Sequence, residues 1–188
     1  IRDKQYGSAK DGDKVIAEIT DWGTTKHPAI SGKVTTILKE ADGNEIAMQS
    51  ILIESGFALD FPPEVIAELD KIDGKITQKD INERRDFREV LTFTIDPETA
   101  KDFDDAISYQ ELENGNIEIG VHIADVSHYL RENSSLDKEA FQRSTSVYLV
   151  DRCLPMLPER LSNDLCSLNP NEDKLTFAAV FTFDTKNK

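Results

Sequence analysis

"AISYQELENGNIEIGVHIAD", residues 106 to 125, decides how the rest of the chain is read. Polar and apolar side chains alternate on both sides of "ENGN", and Asn114-Gly115 supplies the residues a tight turn needs, so the stretch predicts a β-hairpin. Just upstream, "VLTFTID" (90–96) reads as a further strand. Between it and the hairpin lies "IDPETAKDFDDA" (95–106), which gathers Asp96, Asp102, Asp104 and Asp105 with one lysine, Lys101, among them.

Working downstream, "SSLDKEAFQRS" (134–144) predicts a short helix with serine N-cap candidates, and "SVYLV" (146–150) a short strand. "PERLSNDLCSLNP" (158–170) predicts a helix bounded by prolines, and "KLTFAAVFTFD" (174–184) an alternating strand. Upstream, "KVIAEIT" (14–20) and "GKVTTIL" (32–38) carry strand signals, and "NEIAMQSILIESG" has helical spacing that ends on Gly56 as a C-cap. "FPPEVIAEL" offers Pro63 at a helix start. "TQKDINERRDFRE" (77–89) has a threonine N-cap candidate but little apolar face, and reads either as a solvated helix or as a charged connector. Ile1 begins inside a pattern and the last strand runs almost to the end, so truncation within a domain is expected at both termini. No internal repeat or low-complexity segment is found.

The chain's 188 residues allow one good-sized domain or two small ones, and with 38% hydrophobic and 31% charged residues it reads as soluble and globular. No apolar run reaches membrane-spanning length, so no membrane partner is expected. Cys153 and Cys166 form no CxxC, which gives neither a zinc site nor a disulfide framework and makes a reducing cytoplasm the default. With 22 basic and 36 acidic residues, the net charge of −14 argues against general phosphate-neutralising nucleic-acid binding. Divalent cations between carboxylates and a phosphodiester would reverse that local argument.

Carboxylates crowded this closely repel. At about 5 Å and an effective dielectric near 20, each pair costs roughly 3 kcal/mol. The side chains must point apart, stay partly protonated, or share a cation. Oxygen-only donors favour Mg²⁺, Mn²⁺ or Ca²⁺ over zinc. A calcium loop counted from Asp102 fails, because Ala106 and Ile107 stand where a ligand and an obligatory glycine belong. Spacing alone leaves a solvated acidic loop and a metal-dependent phosphoryl-transfer site both standing. His122 and His128 flank Asp125, one within a strand and the other beyond its end, and read as structural hydrogen-bonding groups. Tyr148 reads as a core or edge-strand aromatic.

Three ordered stretches carry a more specific signal: "IDPETAKDFDDA", "GVHIADVSHYL" (120–130) and "STSVYLVDRCLPMLPERLSNDLCSLNPNEDKLTFAAVFTFD" (144–184). Together they resemble the start of the catalytic RNB domain of the ribonuclease II family. "AKDGDKVIAEIT" (9–20) and "GKVTTIL" are similar to the last strands of the cold-shock, OB-type domain preceding it, and "FPPEV" (61–65) lies where that family has a connector. The implied fold class is α/β mixed (α+β), a partial OB-fold segment followed by the N-terminal part of an RNB domain. The implied division is 1–43 for the cold-shock strands, 44–87 for a helical connector and 88–188 for the RNB part.

The resemblance implies a processive, hydrolytic 3′-to-5′ exoribonuclease that acts on single-stranded RNA with Mg²⁺ and releases nucleoside 5′-monophosphates. It further implies a cytoplasmic location and RNA-decay or ribosome-associated factors as partners. Asp96, Asp102, Asp104 and Asp105 fall on the family's catalytic aspartates, with Asp96 and Asp105 as Mg²⁺ ligands and Asp104 as the position most critical to the chemical step. Tyr148 falls on the tyrosine that stacks on the 3′-terminal base. The family's catalytic arginine, a second stacking aromatic and a basic S1 domain would lie beyond residue 188, so the fragment alone is expected to be weak or inactive. A non-catalytic binding module and a structural metal-binding domain remain as alternatives.

Overall fold

The computed structural model describes residues 5–25, 29–38, 43–150 and 152–186, and it divides into two units at Leu59/Asp60. In the first unit the β-branched alternation forms strands β1 (Lys14–Asp21) and β2 (Ser31–Leu38), paired antiparallel with register shifts at Ile16/Ala17 and Ile19/Asp21. Helix α1 (Gly43–Glu54) follows. Gly56, at φ +84°, ends it: its amide bonds Ile53 O at 2.9 Å and the Phe57 amide bonds Leu52 O at 2.9 Å. This paired closure needs a left-handed residue, so glycine stands there.

The second unit opens with α2 (Pro63–Leu69), whose proline occupies the first turn, and with the short α3 (Gln78–Asn82). Thr77 and Asp80 cap α3 reciprocally. Beyond it the charged segment is neither a longer solvated helix nor a free connector. Arg84 donates to Asp125 at 2.6 Å and to Thr176 O at 3.2 Å, while Arg85 grips Glu118 with two nitrogens at 2.5 and 3.2 Å. Phe87 sets its ring edge against His122 at 4.8 Å. These residues lie along one face of a four-stranded antiparallel sheet.

That sheet has the order β3-β4-β5-β8, with β3 (Leu91–Phe93), β4 (Asp105–Glu111), β5 (Ile117–Ala124) and β8 (Thr176–Phe183). The predicted hairpin is β4–β5, closed at Gly115, with Ala106 opposite His122 and Ser108 opposite Gly120. Alternation sends Ala106, Ser108, Glu118, His122 and Ala124 to the buried face. A Cβ on Gly120 would lie 2.4 Å from Ser108 Oγ and 2.7 Å from His122 Nε2, so only glycine leaves room for the 2.8 Å bond between those two side chains. The opposite face carries Leu91, Phe93, Tyr109, Ile123, Phe177 and Phe181, all exposed.

After β5, Asp125 caps the short α4 (Val126–Tyr129), and Ser134 caps α5 (Ser135–Arg143). Glu68 of α2 also accepts the Ser135 and Leu136 amides at 2.8 and 3.1 Å, joining the two helices through a helix N-terminus. Arg143 is buried, yet it donates to Glu139 and Asp60 O and stacks on Phe61 at 3.8 Å, so its charge is matched. Strands β6 (Val147–Tyr148) and β7 (Cys153–Leu154) form a small separate ladder.

The stretch expected as a proline-bounded helix is a π-helical turn, Arg160–Leu165, closed by the Cys166 amide on Leu161 O at 2.8 Å. It delivers Leu161, fully buried, and Cys166 to a core of Val65, Leu69, Ala124, Leu136 and Leu157. Both cysteines are free, and burial pushes the Cys166 thiol up to about 12. Among the described residues no helix is long and apolar enough to cross a membrane.

Candidate active site

The acidic stretch is the connection from β3 to β4, with Asp96, Asp102 and Asp104 in the loop and Asp105 as the first residue of β4. Pro97 O accepts the Ala100 amide at 2.9 Å and turns the chain back toward the sheet. From Lys101 onward each peptide link is tied down. Ser167 Oγ donates to Lys101 O at 2.9 Å and accepts the Phe103 amide at 3.0 Å. The Leu168 amide donates to Phe103 O at 2.9 Å, and the Ala124 amide to Asp104 O at 3.0 Å. The loop is therefore held between the residues after the π-helical turn and the end of β5.

The charges it carries act on one another. Asp104 reaches solvent, but the protein packed around it and the charges of Asp102, Asp105 and Asp96 raise its carboxyl above the usual aspartate range. Asp102 has a partner: the Tyr148 hydroxyl donates to its Oδ2 at 2.5 Å. That bond, with lesser contributions from desolvation and the nearby charge, raises the Tyr148 phenol above the ordinary tyrosine value. Tyr148 is 67% exposed and stands beside the acidic loop. The sequence-expected residues are thus brought into one neighbourhood, Asp104 within the fields of the other three aspartates and Tyr148 bonded to Asp102. Among the described residues, however, no three carboxylate, histidine or cysteine side chains converge tightly enough to enclose a metal ion by themselves.

The donor set still suits a hard cation. Mg²⁺ commonly takes one or two protein carboxylates and completes its shell with water and substrate phosphate, which an open nest of carboxylates permits. The histidines stand apart from this. His122 is buried against Ser108 and Phe87, and burial lowers its pKa. His128 lends its amide to Asp125 and packs its ring on Tyr129. Asp125 is 3% exposed; burial would push its carboxyl up, but the Ser127 hydroxyl, Arg84 and the His128 amide outweigh that and hold it low.

Sequence reasoning missed Ser167, Arg84 and Arg85. All three act through partners dozens of residues away, and no local period announces them. Ser167 lies inside the stretch read as a proline-bounded helix (158–170), where nothing in the pattern marks its role.

Residues 84–188 match the family model of the RNB domain, and residues 1–62 that of the cold shock domain. The chain belongs to the RNB-domain family. It is 47% identical to ribonuclease R of Thermotoga maritima over 187 residues, covering 98% of this chain and 26% of that protein. With Mycoplasma genitalium RNase R, solved in complex with double-stranded RNA, it superposes at a TM-score of 0.79 with 29% identity, over 95% of this chain and 31% of that one. Yeast Ssd1, described as a pseudonuclease, shares the fold at a TM-score of 0.61 and 24% identity, over 88% of this chain and 21% of that one. The chain thus spans about a quarter of the length of the curated relatives it matches, 21% in ribonuclease R 1 of Lactococcus lactis and 26% in the Thermotoga protein.

Proposed function

We propose that this chain supplies the acidic half of the active site of a cytoplasmic exoribonuclease that hydrolyses single-stranded RNA processively from its 3′ end with Mg²⁺. The observation that carries the reading is the aspartate loop, with Asp104 inside the fields of three other carboxylates and an exposed aromatic hydrogen-bonded to its edge. Kinship with ribonuclease R supports it, as does the RNA bound in the Mycoplasma genitalium structure.

Asp96 and Asp105 would hold the cation, which supplies activation of water and charge neutralisation at phosphorus when bound. Asp104 serves the chemical step and Asp102 is oriented by Tyr148. Water adds at phosphorus and the bond to the 3′ oxygen of the preceding nucleotide breaks. The released nucleotide keeps a 5′-phosphate and the shortened chain ends in a 3′-hydroxyl. Tyr148 offers its ring to the terminal base, a contact that tolerates any base because every base has a π-face.

A second reading, a scaffold that binds RNA or protein without cutting, is favoured by one observation: no three ligands converge among the described residues. The two are separated by incubating 5′-labelled single-stranded RNA with the protein encoded by the reading frame carrying this chain, in Mg²⁺ and in EDTA, beside Asp104→Asn. Shortening from the 3′ end that disappears in both controls supports the nuclease. Intact RNA under every condition, with the protein folded, supports the scaffold.

A further inference from the structure

Ser167 is completely buried, and its hydroxyl lies among the acidic loop's backbone rather than facing any substrate space. Lys101 O belongs to the peptide link before Asp102, and the Phe103 amide to the link after it. One hydroxyl therefore bonds both peptide groups that flank Asp102, accepting from one and donating to the other. Asn169 Oδ1 lies 3.2 Å from the same oxygen, but a hydroxyl has a single proton and Lys101 O is the closer acceptor. The neighbouring Leu168 amide takes Phe103 O, so the two consecutive residues after the π-helical turn fix the loop from Lys101 to Asp104.

We infer that Ser167 is a positioning residue for the aspartate nest: by clamping the two peptide groups around Asp102, it keeps mutually repelling carboxylates together as an open nest on which a divalent cation can bind. A loop of like charges left to itself would splay. Backbone bonds from a rigid element remove that freedom without neutralising any carboxylate, which leaves the oxygens available. The π-helical turn has a part in this, because its extra residue places Cys166 in the core and Ser167 against the loop. The inference rests on the reading of the nest as a cation site, and the test separates the two.

The test uses the protein encoded by the reading frame carrying this chain, and its first readout is Mn²⁺ affinity measured by electron paramagnetic resonance without RNA. Ser167→Ala is expected to weaken Mn²⁺ binding about 10- to 100-fold, the range seen when groups that orient metal ligands are removed. Ser167→Cys, with a weaker hydrogen-bonding group of similar size, should fall between it and wild type. Hydrogen exchange at the Phe103 amide should quicken in both. Leu136→Val, a core change that touches none of the loop's hydrogen bonds, calibrates stability: it should lower Tm and leave Mn²⁺ affinity unchanged.

Wild-type Mn²⁺ affinity in Ser167→Ala, with loss in Asp105→Asn, would overturn the positioning role and leave the cation site standing. No Mn²⁺ binding by the wild type would overturn both. Should Ser167→Ala fail to fold, Ser167→Cys decides on the same criterion.

Discussion

The Tyr148 hydroxyl donates to Asp102 Oδ2 at 2.5 Å, joining residues 46 positions apart in sequence. A residue that the resemblance assigns to base stacking is thereby tied, through its other end, to the aspartate loop. The ring and the hydroxyl can be separated by substitution. Tyr148→Phe keeps the ring and should leave RNA affinity in EDTA within about twofold, while lowering turnover with Mg²⁺. Tyr148→Ala removes both and should weaken RNA binding by about 1–3 kcal/mol. Fluorescence anisotropy and single-turnover cleavage on the two variants check the division; equal RNA affinity in all three proteins would remove the stacking role.

Burial, and after it the charges of Asp102, Asp105 and Asp96, work against the ionised Asp104 carboxyl, and its replacement should stabilise the metal-free protein. Its folded-state pKa lies above the unfolded value, so the folded state binds the proton more tightly. Stability is highest below the ordinary aspartate pKa and falls as pH rises through the raised one. Asp104→Asn should therefore raise stability near neutral pH in EDTA, by about 1 kcal/mol once solvent screening is allowed for. The gain should vanish below about pH 3, where the wild-type carboxyl is also protonated. Thermal melts across pH 3 to 8 measure it.

Arg84 is the main cationic partner of a carboxylate that is 3% exposed. Arg84→Ala should cost about 3 kcal/mol, because breaking a buried pair leaves the remaining charge without compensation. Asp125 is held below the ordinary aspartate range, so its contribution is present above that range and is lost as pH falls through the lowered value. Arg84→Ala raises that value, and acid unfolding should begin at a higher pH. Urea melts at pH 7 and an acid titration followed by circular dichroism give both quantities.

Gly120→Ala should cost about 1–3 kcal/mol by overpacking, since the new methyl meets Ser108 Oγ and His122 Nε2 inside van der Waals distance. The expected signature is loss of the Ser108–His122 bond, seen as a changed His122 imidazole resonance. Gly115→Ala meets nothing within 4 Å and should cost only the strain of its positive φ.

What could be read in advance divides along a physical line. The β4–β5 hairpin, the glycine end of α1, the proline start of α2 and the serine cap of α5 are local, each decided by residues within a few positions. The pairing of β8 with β5 is of another kind, because β5 ends at Ala124 and β8 begins at Thr176, and no local pattern assigns one to the other. Ser167 and the arginines at 84 and 85 depend on what tertiary structure brings to them, and a charged run such as "NERRDFRE" looks the same whether it is solvated or laid across a sheet. The π-helical turn was hidden for a related reason: its i to i+5 bond relies on Leu161 finding a core, which a pattern of period 3.6 does not encode.

The sheet face bearing Phe93, Tyr109, Ile123, Phe177 and Phe181 has a consequence for synthesis and handling. The four strands are complete once Phe183 has emerged, so on the ribosome a water-facing layer of aromatic and branched side chains forms at that moment, and among the described residues β3 and β8 have no further strand beside them. Hydrophobic surface of this kind recruits chaperones and seeds association between nascent chains. A preparation of these 188 residues alone should bind hydrophobic dyes and self-associate with rising concentration, so the same layer of side chains that completes the sheet limits how concentrated the protein can be kept.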